Sequence, residues 1–287
     1  IQVLVHAVAW TMRRTMRTSG AETFSAAVQV LLGIEAMAAL RGSVRTMTRS
    51  ELCAVMITFM ASIAGSVMVI YARFGVQPGH LLIASLMSAP AALCIAKLLV
   101  PETREPETCG TVRLQVPVDS RNLFDALSRG TADGLQMALS VGAMLIAFIA
   151  VVYLLNATCQ AICGLSFTAL AGYVFRPFAL LMGVPVRDVA VVGELLGTKT
   201  ILNELIAYQQ LQPLVAAGSL SPRAVTLSTY ALCGFANPGS LGILLAGMTS
   251  LAPERRDDIT TLGMQAFVGG VLCSFMTACV AGTLIEA

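Results

Sequence analysis

Charged and amide side chains interrupt an apolar stretch of membrane-spanning character. The stretch covers residues 193–208, reads GELLGTKTILNELIAY, and contains Lys199, Asn203 and Glu204. A charged residue at the centre of a membrane span costs about 2.5–3.5 kcal/mol, so such residues usually mark functional sites. A second polar break, GFANPGS at 234–240, interrupts the next apolar run. The two breaks together predict a solute-binding site at membrane depth.

The composition is that of an integral membrane protein. Of the 287 residues, 56% are hydrophobic and 12% are charged, whereas soluble domains carry about 25% charged residues. The net charge is +2 and the sequence has no basic tract, so we expect no nucleic-acid partner. The eight cysteines form no CxxC pair and are interpreted as packing residues. His6 and His80 lie far apart, and neither HExxH nor GxSxG occurs, which argues against a membrane-embedded enzyme.

Apolar run lengths and basic clusters predict how the chain crosses the membrane. About 20 apolar residues span a bilayer. The predicted spans are 52–71, 81–100, 134–156, 224–251 and 259–285. Basic residues at 41–49, 104–129 and 255–256 all fall on one face when the spans alternate, which agrees with the positive-inside rule. The chain is therefore predicted to be a multi-pass membrane protein.

We divide the chain into three parts on this basis. Residues 1–100 contain the end of a scaffold helix, a first re-entrant hairpin and two spans. Residues 101–182 contain a cytoplasmic connection, a scaffold span and an interfacial helix interrupted at Arg176-Pro177. Residues 183–287 contain a second re-entrant hairpin and the last two spans. Basic residues flank the first hairpin on both sides, so we expect it to return to the face that it enters; two short interfacial helices are the alternative.

The first and third parts repeat one order of elements. Each has a hairpin with a glutamate (Glu35 or Glu204), then a span broken by small or polar residues (Gly65-Ser66 or 237–240), then an unbroken span. The two triplets enter the membrane from opposite faces. Inverted repeats with discontinuous helices are an architecture of secondary transporters. We therefore predict an all-α integral membrane transporter with inverted repeats, two re-entrant helical hairpins and discontinuous transmembrane helices.

A series of motifs along the whole chain resembles the concentrative nucleoside transporter family. The sequence through Lys199, Asn203, Glu204 and Tyr208 matches the family signature G-x-K-x3-N-E-F-V-A-Y, with Leu-Ile in place of Phe-Val. Six further motifs occur in the family's order: SGAE at 19–22, MTRSEL at 47–52, IAGSV at 63–67, MSAP at 87–90, ALCGFAN at 231–237 and FMTAC at 275–279. The resemblance implies that the family's remaining N-terminal helices would precede Ile1.

The resemblance implies a homotrimer in the plasma membrane (the inner membrane of a bacterium) that moves nucleosides with a sodium or proton gradient by alternating access. In the family, ribose hydroxyls are held by positions that match Glu204, Asn237 and Ser240, and Phe235 matches an apolar wall beside them. An ionised carboxylate accepts from two hydroxyls, and an amide both donates and accepts, so these side chains suit a sugar. The alternatives are an ion pair between Glu204 and Lys199, and helix breaking alone for Asn237 and Ser240.

The first hairpin departs from the family pattern G-Q-T-E-x-P, whose Gln, Thr and Glu face the nucleobase. Gly33, Ile34 and Glu35 stand at this tip, which is one residue short. Glu35 keeps the place of the glutamate, and Ile34 replaces the Gln-Thr pair. The resemblance also assigns Ile70 to the substrate site. The shortened tip leaves open an altered base preference, weaker transport, a different sugar-bearing substrate, or a divergent member that binds a nucleoside-like ligand without coupled transport.

The sodium site that the resemblance implies is altered as well. In the family it lies between the first hairpin and the following broken helix. The matching positions here are Gln29, Leu32, Gly65, Ser66 and Val69. Gln29 replaces an asparagine, and Gly65 replaces a residue with a hydroxyl. Hard cations favour several oxygen ligands, and here Gln29 supplies one on a longer side chain and Gly65 only its carbonyl. The resemblance makes sodium the first hypothesis for the coupling ion. A proton carried by Glu35 or Glu204 is the second, and no other cofactor is expected.

Overall fold

Every regular element in the part of the chain that the structure describes is helical. The computed structural model describes residues 14–16, 18–40, 43–107 and 122–285, so the scaffold-helix end predicted within 1–10 lies outside the described residues. The α-helices are α1 (Gly20–Leu32), α2 (Arg49–Ala61), α3 (Gly65–Ala72), α4 (Pro78–Leu99), α5 (Leu123–Cys163), α6 (Phe167–Leu181), α7 (Val189–Ile201), α8 (Glu204–Ala216), α9 (Pro222–Leu232), α10 (Pro238–Leu251) and α11 (Arg256–Leu284). The 3-10 helices are Gly33–Leu40, Val186–Asp188 and Pro253–Arg255.

The predicted order of hairpin, broken helix and unbroken helix occurs twice. In the first repeat, α1 and the 3-10 helix Gly33–Leu40 form the hairpin, α2 and α3 flank a break at 62–64, and α4 is continuous. In the second repeat, α7 and α8 form the hairpin, α9 and α10 flank a break at 233–237, and α11 is continuous. The hairpins and discontinuous helices that the sequence predicts are thereby confirmed. Each break ends earlier in the chain than predicted, because Gly65-Ser66 and residues 238–240 already belong to the helices that follow.

Polar caps determine where the hairpin and the broken helix of the first repeat begin. Ser19 and Glu22 form a capping box at α1, and Thr48 and Glu51 form another at α2. Each box satisfies two backbone N–H groups that the start of a helix leaves without partners. The buried carboxylate of Glu22 also pairs with Lys97 at 2.5 Å. The start of the first hairpin is therefore tied to the end of α4.

The unbroken helix α11 packs against α2, α4 and α9. Gly270 of α11 leaves no room for a side chain, because a Cβ there would lie 3.1 Å from the Ala236 Cβ and would collide with Met60. Small residues allow membrane helices to approach one another closely. This close approach brings α2 of the first repeat and the break at 233–237 of the second repeat to the same part of the core.

Among the described residues, two helical segments are each long and apolar enough to cross a membrane, Pro78–Leu99 and Pro253–Leu284. The last part of α5, Ile149–Cys163, and helix α6 make a third candidate if they are counted as one span. The criterion is one of length and composition only, and the helices of the hairpins and broken spans are too short to meet it. The result agrees with a chain that combines full spans with discontinuous ones.

The chain forms two compact units. The described residues of Ile1–Leu114 and Thr168–Ala287 make up the first, which contains both repeats. The second, Gln115–Phe167, contains α5. All of the site contacts described below lie within the first unit.

The region around the end of α5 differs from the sequence prediction. Helix α5 continues past Asn156 to Cys163, and Gly164 ends it in the left-handed region at φ 73°, as glycine commonly does after a helix. The predicted interruption at Arg176-Pro177 is wrong, because α6 continues through Pro177 to Leu181. Membrane helices tolerate proline where neighbouring groups satisfy the freed backbone carbonyl.

Candidate functional site

The tip of the second hairpin places Glu204 at the first position of α8. Helix α7 ends at Ile201, and Asn203 caps α8 by accepting a hydrogen bond from the Ile206 N–H at 2.9 Å. An asparagine cap supplies an acceptor that the backbone lacks at the start of a helix. Glu204 follows this cap directly and is only 5% exposed. The break therefore holds a carboxylate inside the protein.

The break of the second repeat brings Asn237 onto the same carboxylate. Asn237 caps α10 by accepting from the Ser240 N–H at 2.8 Å. Its amide nitrogen donates to Glu204 Oε2 and to the Phe235 carbonyl, both at 3.2 Å. These contacts need both a donor and an acceptor, which an amide provides and a carboxylate does not. Glu204 and Asn237, predicted to share a site, are thus in contact, and Phe235 and Ser240 are half-buried on either side of Asn237 in the chain.

Tyr71 is a member of this cluster that the sequence analysis missed. Its hydroxyl donates to Glu204 Oε1 at 2.8 Å from near the end of α3. Its ring stacks on Tyr208 with centroids 4.5 Å apart, and the Tyr208 hydroxyl donates to the Thr229 carbonyl at 2.8 Å. The motif containing Tyr208 was visible in the sequence. Tyr71 lies 133 residues before Glu204, and no local pattern connects the two.

Glu204 retains acceptor capacity for a ligand. A carboxylate offers about four acceptor positions, and Tyr71 and Asn237 occupy one on each oxygen. The remaining positions can accept from two hydroxyl groups of one ligand. Charge-assisted hydrogen bonds of this kind are about twice as strong as neutral ones. The cluster therefore suits a ligand with adjacent hydroxyls, such as a ribose, and disfavours an anion.

Lys199 is fully buried in the last turn of α7. Its ammonium group donates to Ser274 Oγ of α11 at 2.8 Å. The ion pairs between described residues do not include one between Lys199 and Glu204, so the direct pair considered from the sequence is not formed. A cation near the C-terminus of a helix interacts favourably with the carbonyl groups there. Lys199 therefore stabilises the end of α7 beside the hairpin tip.

Gln29 holds an unpaired acceptor in the first hairpin. Its side chain is fully buried, its amide nitrogen donates to Ser25 Oγ, and its Oε1 has no hydrogen-bond partner among the described residues. A buried polar atom without a partner costs about 1–3 kcal/mol. Hard cations take oxygen ligands, and a bound cation would satisfy this atom. The unpaired oxygen therefore fits the cation site that the resemblance implies.

The tip of the first hairpin lies against the first broken helix. Gly33 has a φ of 60°, and a Cβ on it would lie 2.8 Å from the Ala64 Cβ and 2.9 Å from the Ala64 nitrogen. Both the dihedral angle and the contact require glycine. The Gly33 N–H donates to the Gln29 carbonyl. Gln29 therefore lies about one helical turn from the contact between the tip and the break at 62–64.

Seven predicted site residues remain, and the structure describes the surroundings of four of them. Three have exposed side chains, namely Leu32, Val69 and Ile70. Gly65 is half-buried at the start of α3. Leucine, valine and glycine can reach a cation only through their carbonyl oxygens, so exposure of the side chains does not exclude them. Three side chains lie outside the described part of the structure, and their roles stay predictions: Ile34, Glu35 and Ser66.

Known proteins with similar sequences share a transport function. The family model "Na+ dependent nucleoside transporter C-terminus" matches residues 80–282. Solute carrier family 28 member 3 of Mus musculus is 40% identical over 100% of this chain and 44% of its own length. Sodium/nucleoside cotransporter 1 of Rattus norvegicus is 40% identical over 99% of this chain and 47% of its own length. The chain thus spans less than half the length of these relatives.

Solved structures of the protein CNTnw have the same fold. Its inward-facing substrate-bound state matches with a TM-score of 0.89 and 38% identity, over 98% of this chain and 69% of that one. A variant in a state named intermediate 1 matches with a TM-score of 0.90 and 38% identity, over 100% and 71%. A variant in an outward-facing state also matches, with a TM-score of 0.89 and 38% identity over 98% and 69%.

Proposed function

The chain belongs to the sodium-dependent nucleoside transporter family, and on this premise we propose that it carries nucleosides across a membrane with a sodium gradient, by alternating access. The family is one of transporters and not of enzymes. The observation that supports the proposal most directly is the carboxylate of Glu204, buried and held by Tyr71 on one oxygen and by Asn237 on the other. Its free acceptor positions match two ribose hydroxyls.

In the proposed substrate site, Glu204, Asn237 and Ser240 bind the ribose, and Phe235 and Ile70 supply apolar surface. Gly33, Ile34 and Glu35 complete the site from the first hairpin. Buried polar groups reject an analogue that lacks a hydroxyl, because they are then left unpaired. Ile34 has no hydrogen-bonding side chain. We therefore expect strong discrimination between sugars and weak discrimination between bases.

The proposed cation site uses the unpaired Gln29 Oε1 and oxygens of the tip and the first broken helix. The contributing residues are Leu32, Gly65, Ser66 and Val69. Sodium is the favoured ion because the buried oxygen of Gln29 suits a hard cation and because the relatives are named for sodium. A proton carried by Glu35 or Glu204 is the second candidate.

The proposed cycle begins with cation binding, which orders the first hairpin tip against the break at 62–64. The completed site then binds a nucleoside between the two hairpins. A transport domain built from the hairpins and broken helices shifts across a scaffold that includes the span within 101–182, and a hairpin opens to the other side. We propose a homotrimer in the plasma membrane, or the inner membrane of a bacterium, as the working form.

A divergent receptor is the second candidate function, favoured by one observation. The tip of the first hairpin carries Ile34 where the family pattern has a Gln-Thr pair. Such a protein would bind a nucleoside-like ligand without moving it against a gradient. Binding with no cation-driven uptake distinguishes this function from transport.

Replacing Gln29 with leucine tests the cation site. The variant keeps the approximate volume and removes the unpaired oxygen. A lost contact to a charged group is worth about 1.5–3 kcal/mol, and each 1.4 kcal/mol is about tenfold in affinity. We expect the sodium concentration for half-maximal nucleoside binding, measured by calorimetry, to rise at least about tenfold.

Two variants serve as controls for this experiment. Gln29→Asn restores the family residue and should retain sodium-dependent binding. Gln265→Leu makes the same chemical change at an exposed position of α11 and should leave binding unchanged. An unaltered sodium requirement in Gln29→Leu would place the cation elsewhere. Binding that follows pH and ignores sodium in the unmodified protein would favour proton coupling.

A further inference from the structure

Helix α3 connects the two parts of the proposed site. It is eight residues long and begins directly after the break at 62–64. Its first residues are among those proposed for the cation site, and Tyr71, its next-to-last residue, contacts Glu204. The rise along an α-helix is about 1.5 Å per residue, so Gly65 and Tyr71 are about 9 Å apart along the axis. One short helix thus has the cation site at its start and the substrate carboxylate at its end.

The side chain of Tyr71 is held so that its hydroxyl moves with α3. Tyr71 is 1% exposed, and its ring stacks on that of Tyr208 with an interplanar angle of 26°. The hydroxyl of Tyr208 is itself bound to the Thr229 carbonyl of α9. A buried ring in such a stack has little rotational freedom. A displacement of α3 therefore moves the Tyr71 hydroxyl relative to Glu204.

The Tyr71 hydroxyl helps to fix the orientation of the Glu204 carboxylate that a ligand would bind. It donates to Oε1, while Asn237 donates to Oε2. Tyr71 comes from the first repeat, whereas Asn237 and Glu204 belong to the second. With both donors in place the carboxylate is fixed in one orientation. Without the hydrogen bond from Tyr71, the carboxylate can rotate. Part of the binding free energy of a ligand is then spent on fixing its orientation.

We propose that Tyr71 is the positioning residue that couples cation binding at the start of α3 to nucleoside binding at Glu204. The inference rests on the proposed function, because it requires both ligands. A cation bound at Gly65 and Ser66 fixes the start of α3, and the fixed helix holds Tyr71 on Glu204. When two ligands are coupled, each changes the binding affinity of the other by the same factor. Sodium should therefore tighten nucleoside binding by the factor by which the nucleoside tightens sodium binding.

The test measures that factor in the full-length protein and in Tyr71→Phe. This variant removes the hydroxyl and keeps the stacked ring. Uridine affinity is measured by calorimetry at saturating sodium and again with choline in place of sodium. We expect sodium to tighten uridine binding at least tenfold in the unmodified protein and less than threefold in Tyr71→Phe. The gain in sodium affinity on adding uridine should shrink by the same factor.

Tyr230→Phe is the matched control. It removes a tyrosine hydroxyl of the same compact unit whose hydrogen-bond partner is His80 Nδ1, at 3.2 Å, and not Glu204. This control should retain the full effect of sodium. Tyr71→Phe binding that is weaker by the same factor with and without sodium would overturn the proposal, because Tyr71 would then only contribute to affinity.

A second variant tests the same helix with Tyr71 intact. Met68→Gly introduces a flexible residue within α3, between the start of the helix at Gly65-Ser66 and Tyr71. It should also reduce the effect of sodium on uridine affinity, and an undiminished effect would contradict transmission through α3. If the unmodified protein shows no effect of sodium on uridine binding, the proposed sodium coupling fails and this inference fails with it. If sodium still strongly increases uridine affinity in both Tyr71→Phe and Met68→Gly, the coupling role of Tyr71 is wrong, while the proposed function stands.

Discussion

Replacing Glu204 with glutamine is expected to weaken nucleoside binding at least a hundredfold and to stop transport. Tyr71 and Asn237 both donate to Glu204, and glutamine offers only one oxygen to accept from them. Its NH₂ group must therefore face one of these donors. The charge-assisted bonds to ribose, worth about 1.5–3 kcal/mol each, are lost as well. Two such bonds exceed the 2.7 kcal/mol or so that a hundredfold change requires.

The measurement for Glu204→Gln is uridine affinity by calorimetry at saturating sodium. Glu194→Gln is the matched control, because Glu194 is an exposed glutamate in the first half of α7, in the same hairpin as Glu204. A second readout compares uridine with 3′-deoxyuridine. The unmodified protein should bind uridine far more tightly than the deoxy analogue, and Glu204→Gln should bind the two almost equally. Unchanged uridine affinity in Glu204→Gln would remove Glu204 from the substrate site.

Replacing Lys199 with methionine is expected to destabilise the protein and to weaken nucleoside binding. Lys199 is fully buried and donates to Ser274 Oγ at 2.8 Å. A hydrogen bond to a charged group is worth about 1.5–3 kcal/mol, and methionine removes it. The buried Glu204 also loses a positive charge in the protein interior, which adds to this cost. For a protein of this size, each kcal/mol lowers the unfolding temperature by about 2–4 °C. We therefore expect a decrease of at least about 3–12 °C.

The measurement for Lys199→Met is thermal unfolding in detergent, alongside uridine binding. Lys199→Arg keeps the positive charge and should lose less stability. The double variant Lys199→Met with Glu204→Gln leaves neither charge buried, so it should be more stable than Lys199→Met alone. Interacting charges give such non-additive effects. Additive losses in the double variant would show that Lys199 acts only through Ser274 and the end of α7.

The broken elements of both repeats were predictable because their causes are local. A glycine with positive φ ends α1 at Gly33, and an asparagine cap begins a helix at Asn203 and again at Asn237. Glycine and asparagine have these preferences whatever surrounds them. The proximity of Glu204 and Asn237 followed from the repeat pattern and the family motifs. A glycine or an asparagine within an apolar run thus indicated where a helix ends or begins.

The features that the sequence did not predict depend on tertiary contacts. Tyr71 meets Glu204 only because helix packing brings the two repeats together, and no spacing in the sequence encodes that contact. Pro177 has a strong local tendency to break a helix, yet α6 continues through it. The second arm of the first hairpin is a 3-10 helix over Gly33–Leu40, a length that is uncommon for this element. In each case the surrounding structure overrides or supplements the local preference.

Uptake of labelled uridine and adenosine into proteoliposomes shows whether the protein carries nucleosides with a sodium gradient. The liposomes contain the full-length protein and carry a sodium gradient, a proton gradient or neither. We expect uptake that follows the sodium gradient and disappears in Glu204→Gln. Uptake that follows only the proton gradient would contradict the sodium site at Gln29 and move coupling to a carboxylate, Glu35 first. Nucleoside binding without uptake under any gradient would contradict transport and favour a receptor.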